Sequence, residues 1–184
     1  DALIIGEHYA EAIENLKLGL ELDEETGSAR GKNYKSVSLA RAYLFMGDLE
    51  RARAAADAAR LYDTPQNNHN ALVTLGVIAA RQGDSDAAQE AFTEAIAQAR
   101  QALEHNQHNQ DALAAQGLAF SGLTLLGVGP RAANVEAALT AYRLAYQANS
   151  GAGLVALTLR LFDALALADP DGRLSAIRPA VTGG

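Results

Sequence analysis

The sequence predicts an all-α fold built as a row of stacked helix pairs, and three observations carry that expectation. A turn-then-helix phrase recurs, Gly47-Asp48-Leu49-Glu50-Arg51-Ala52 returning 36 residues later as Gly83-Asp84-Ser85-Asp86-Ala87-Ala88. From Ala88 onward, Phe92, Ala95, Ile96, Ala99 and Leu103 fall at helical offsets and trace one apolar stripe. Composition agrees: among 184 residues Ala is the commonest, Gly 16 and Pro 4 are too few for a loop-dominated fold, and 49% hydrophobic content supplies a core.

The elements follow in order. Tyr9-Ala10-Glu11-Ala12-Ile13, Leu16, Gly19, Leu20 and Leu22 read as the second helix of a first unit, with its partner helix nearly all missing. The polar, Gly-interrupted run between Asp23 and Tyr34 reads as a connection, so Ala12 to Ala52 spans 40 residues. Leu39-Ala40-x-x-Tyr43 precedes the first Gly-Asp as Leu75-Gly76-x-x-Ala79 precedes the second, so each match covers a helix, a turn and a helix. Here Gly ends one helix in a left-handed cap and Asp caps the next through its side-chain oxygen. Ala112-Leu113-Ala114-Ala115-Gln116-Gly117 echoes Ala71 to Gly76, and Glu136-Ala137-Ala138-Leu139, Tyr142, Ala145 and Tyr146 supply a further second helix. Ala88 to Ala138 spans 50 residues, the excess falling in a helix extended to about His105 and in the break Gly127-Val128-Gly129-Pro130. A last amphipathic helix, roughly Gly153 to Ala168, and a turn over Leu174 to Arg178 are expected to cap the end of the row, since an end repeat otherwise exposes its stacking face.

Together these phrases resemble the tetratricopeptide repeat family across about residues 7 to 148. The resemblance is carried by the Leu/Gly/aromatic signature of the first helix (helix A) and the Ala/aromatic/Ala signature of the second (helix B). It departs from the family in lacking Trp early in helix A and in having only Pro65 near a repeat end, one residue late. In the fourth unit other helical-pair solenoids stay open. The resemblance implies a right-handed α-α superhelix of about 3.5 helix pairs in one domain over 1–184, with repeats at about 7–26, 33–66, 69–104 and 110–148 and capping helices over 151–178. It also implies a concave wall of helix A residues that holds a peptide or helix. That wall would present Tyr34, Val37, Arg41, Leu44 and Phe45, then Asn70, Val73, Val77, Ala80 and Arg81, then Asp111, Ala114, Leu118 and Ser121. Chaperone-tail-binding members clamp a terminal carboxylate with a Lys/Asn/Arg set, but the matching positions hold Val37, Arg41 and Thr74, so that partner is not expected. Arg41 and Arg81 either fork onto a ligand carboxylate or stand solvated or paired to neighbouring acids. Tyr34 and Phe45 are candidate anchors, Phe45 equally a residue that packs beneath an adjacent repeat.

The chain carries 15 basic and 22 acidic residues, net −7, which disfavours a nucleic-acid partner. Cys is absent, removing disulfides, thiolate nucleophiles and Cys-ligated metal sites. The stretches Gly151 to Leu159 and Gly117 to Val128 are too short or too Gly-broken for the roughly 20 residues of a membrane span. His105 and His108 form the only metal-like pair, with Glu104 or Asp111 as further candidates, but they sit in a polar turn and read as solvated. His69 and His8 have no nucleophile partner in sequence, and Asp23-Glu24-Glu25 reads as a solvated charge run. Gly127 to Arg131 lacks the strand and the Gly-Lys-Ser/Thr ending of a phosphate loop.

The expectation is therefore a protein-interaction scaffold with no enzymatic activity, metal or cofactor, whose partner is a protein or peptide. The alternatives are a self-assembly element or a sensor module of a larger protein. The sequence opens on Asp1 rather than Met, and with the first helix missing it reads as a fragment whose N-terminal edge stacks on a further segment or a second copy. Compartment is unknown, the cytosol being the default.

Overall fold

The computed structural model describes Ile4 and residues 8–184; residue 7, where the first repeat was expected to begin, lies outside the described residues. Among the described residues there is no strand. The helices run α1 Tyr9–Thr26, α2 Ala29–Met46, α3 Leu49–Arg60, α4 Asn68–Gln82, α5 Ser85–His105, α6 Gln110–Leu126, α7 Arg131–Ala148, α8 Ala152–Ala166 and the short α9 Arg178–Val181.

The recurring Gly-Asp phrase works as its chemistry requires. Gly47 (φ 81°) and Gly83 (φ 77°) stand in the left-handed region and return their amides to the carbonyls of the preceding turn. Asp48 and Asp84 then accept from the amides of Arg51 (3.1 Å) and Ala87 (3.2 Å), satisfying first-turn donors of α3 and α5. Ser28 and Asn109 cap α2 and α6 in the same way.

Each helix from α1 to α7 packs on the next, and α2, α4 and α6 also meet side by side. The result is a two-layer stack of helix pairs, with α2, α4 and α6 as the A helices and α3, α5 and α7 as the B helices. Close approach depends on small residues. Phe92 of α5 is fully buried, its ring edges lying against Gly76 of α4 and Gly122 of α6. Ala88, Ala95 and Ala99 on the same face of α5 are fully buried as well.

The C-terminal helix departs from its expected place. α8 does not extend the row past α7; it turns back after Asn149–Gly151 and packs on α4, α2 and α6, across the A side of the stack. Its buried residues Leu157, Leu161, Phe162 and Leu165 occupy more than one face, and three helices bury them where a single end helix offers one surface. Closing the row falls to the segment after α8. Asp169 accepts from the amides of Arg173 (2.9 Å) and Leu174 (2.8 Å), Leu174, Ile177, Ala180 and Val181 are buried, and α9 rests on α7 and α8.

Candidate partner-binding wall

The A-helix wall is organised by a chain of buried side-chain hydrogen bonds. Asn33 of α2 donates to the carbonyls of Ala59 (2.9 Å) and Tyr62 (3.0 Å) at the end of α3. Asn67 donates to Asn33 Oδ1 (2.7 Å), and Asn70 donates to Asn67 Oδ1 (2.9 Å). Arg41 ends the chain, its Nη2 donating to Asn70 Oδ1 (2.9 Å) and its Nε to Thr74 Oγ1 (3.2 Å). The chain ties repeat two to repeat three, and its Asn side chains satisfy carbonyls where α3 ends.

Arg41 is 7% exposed and forms no ion pair among the described residues. Burial pulls its pKa down to about 10, the negative charge of Asp111 opposing that fall. It is thus neither solvated nor paired to an acid, the two ordinary alternatives to ligand binding for a surface arginine. His69, one residue from Asn70, is fully buried; its Nε2 lies 3.5 Å from Asn70 Nδ2 and its Nδ1 has no hydrogen-bond partner among the described residues. Burial, with Arg41 nearby, lowers its pKa to about 4.

The expected wall residues divide into four placements. Arg41, Asn70 and Val73 come together with Asp111, Ala114 and Leu118 around a small cavity of about 30 Å³ beneath Leu154, Leu157, Thr158 and Leu161 of α8. Leu44, Phe45 and Arg81 line a second cleft at the C-terminal end of α8, and Arg81 donates to the Ala164 carbonyl (3.4 Å). Val37 instead packs with Ala59 and Ala71, between α3 and α4, and Val77 is fully buried. Tyr34 is 38% exposed and carries the Arg30 guanidinium over its ring, 5.6 Å from the centroid. Of the further wall candidates, Ser121 is fully buried and donates to the Gly117 carbonyl (2.8 Å), and Ala80 is half-buried.

Sequence reasoning missed the rest of the second cleft: Tyr9 of α1, Met46, and Arg160, Asp163 and Leu167 of α8 and its end. Met46 is 53% exposed and Leu167 72%. Arg160 donates to the Tyr9 hydroxyl, and Arg178 holds Asp163 in a two-point pair (3.1 and 3.2 Å). A signal for α8 was present in α6, whose residues Leu113, Ala115, Leu118, Ala119, Leu123 and Leu125 are buried on almost every face. A helix apolar all round cannot leave one face open to water.

Elsewhere, His105 bonds through Nδ1 to the Gln101 carbonyl (2.9 Å), and no group of three or more metal-ligating side chains occurs among the described residues. No helix of the described residues is long and apolar enough to cross a membrane. No curated protein and no solved structure matches the chain. Residues 69–102, which cover α4 and most of α5, match the family model described as tetratricopeptide repeat. That match covers one helix pair at the centre of the row, and the helix pairs on either side stack on it consecutively, as in a tetratricopeptide-type solenoid.

Proposed function

We propose that the chain is a protein-interaction scaffold that holds a partner segment at the open end of its A-helix wall, in the cleft between α2 and the end of α8. Tetratricopeptide repeats serve in general as protein-interaction modules. The supporting observation is the cleft's composition: Tyr9, Phe45, Met46, Arg81 and Arg160 are the residue types enriched at interface cores, and Met46 and Leu167 offer apolar surface to solvent across it. Burying those two side chains more fully supplies about 2–4 kcal/mol, at roughly 25 cal/mol per Å². Arg81, which among the described residues donates to a carbonyl and pairs with no acid, is available to an acidic group on the partner. Of the expected wall, Phe45 and Arg81 serve the partner directly, Leu44 lies buried beneath them, Arg41, Asn70 and Val73 lie under α8, and Val37 and Val77 support the wall from within.

A photo-crosslinking amino acid at Met46 identifies the partner, with the same group at Leu61, an exposed position outside the cleft, as control. Titration of the purified pair then reads the site. Met46→Asp is expected to weaken binding by at least tenfold and Arg81→Glu by a similar factor, while Leu61→Asp leaves it unchanged. Equal affinity of all three variants refutes the placement.

A further inference from the structure

The two halves of α8 are held very differently. From Ala152 to Leu159 only Leu157 is buried, whereas from Arg160 onward Leu161, Phe162, Ala164 and Leu165 are all buried. Polar fastening is equally one-sided. The N-terminal end starts at Gly151 with no side-chain cap, and Thr158 Oγ1 donates back to the Leu154 carbonyl (2.9 Å), a bond that favours bending. The C-terminal half is tied by Arg160 to Tyr9, Arg178 to Asp163, Arg81 to the Ala164 carbonyl, and Phe162 edge-on to Tyr142 at 6.2 Å. Beneath the weakly held half lies the small cavity lined by Arg41, with Gln110 Oε1, also in its lining, buried and without a hydrogen-bond partner among the described residues.

We infer that Ala152–Thr158 is a lid that opens about the anchored second half of α8 and uncovers the middle of the A-helix wall. Opening hydrates Arg41 and Gln110, which the closed form leaves short of charge and hydrogen-bond partners, and this offsets part of the exposure of Leu154 and Leu157. The open wall adds Arg41, Asn70 and Val73 to the partner cleft, extending it along α4. The lid is a property of the chain alone and does not depend on where a partner binds.

The absence of cysteine makes single thiol probes specific. Ala115 is buried under the lid and Ala79 is buried in α4 away from it, and both accept Cys with little change in volume. Under native conditions Ala115→Cys is expected to react with a thiol reagent at least tenfold faster than Ala79→Cys, with little dependence on added urea, as local openings show. Adding Ile96→Val, within α5, accelerates Ala79→Cys about two- to tenfold through global unfolding and leaves Ala115→Cys unchanged. Hydrogen exchange on the unaltered chain is expected to rank Ala156 to Thr158 as less protected than Leu161 to Leu165. Equal rates and urea slopes at the two thiols, or equal protection along α8, overturn the lid.

Discussion

Replacing Gly122 with alanine puts a methyl group where the structure has none to spare. A Cβ built there falls 2.2 Å from Cε2 of Phe92, 2.4 Å from Cζ and 2.5 Å from Cδ2. The ring has no retreat, because on its other edge Gly76 is equally close: a Cβ on that residue would lie 2.5 Å from Cε1 and 2.6 Å from Cδ1. Phe92 is fully buried, so the three helices α4, α5 and α6 must move apart. Overpacking of this kind costs about 1–3 kcal/mol, against which Gly→Ala in a helix returns about 0.5–1 kcal/mol. The expected net loss is about 1–2 kcal/mol, a fall in Tm of roughly 2–8 °C for a domain of this size. Urea denaturation followed by circular dichroism measures it. Phe92→Leu provides the internal control: in that background Gly122→Ala is expected to cost nothing, so the double-mutant cycle returns a coupling of about 1–2 kcal/mol. A Gly122→Ala protein as stable as the parent, with no coupling to position 92, refutes the clamp.

Other predictions concern the buried polar chain. His69 has its folded pKa lowered to about 4 against an ordinary 6.5, so as pH falls the unfolded chain takes up the proton first. Stability is lost progressively between about pH 6.5 and pH 4, by about 3 kcal/mol, and this contribution is level below that; His69→Leu is expected to flatten the acid limb of stability against pH, and an unchanged limb excludes His69 as its source. Asn33→Ala strips the donor from the Ala59 and Tyr62 carbonyls and the acceptor from Asn67, so a loss of about 2–3 kcal/mol is expected in urea denaturation; a loss under 0.5 kcal/mol means the chain of amides does not hold repeats two and three together.

How much of this was legible in the sequence depends on whether a feature is local. The Gly-Asp phrases announced both the left-handed caps and the side-chain caps, because backbone conformation and a hydrogen bond three residues away are decided within one turn. The stripe from Ala88 to Ala99 likewise marked the buried face of α5, since helical periodicity alone fixes which side chains share a face. Candidate wall residues were legible only in part. Arg41, Asn70 and Val73 do share one surface, yet Val37, on the same helix as Arg41, turns into the contact between α3 and α4.

The sequence by itself determined the helix pairs, their caps and the stacked all-α architecture, because each follows from contacts among residues close in the chain. Only the tertiary structure decided that α8 folds back over the wall, that Arg41 is buried with no ion pair among the described residues, and that the accessible cleft is built from α1, α2, α4 and α8 together. Periodicity states that a face is apolar; which neighbour covers it is settled by competition among surfaces distant in sequence. Here Leu157, Leu161 and Leu165 found three A helices rather than one end of the row.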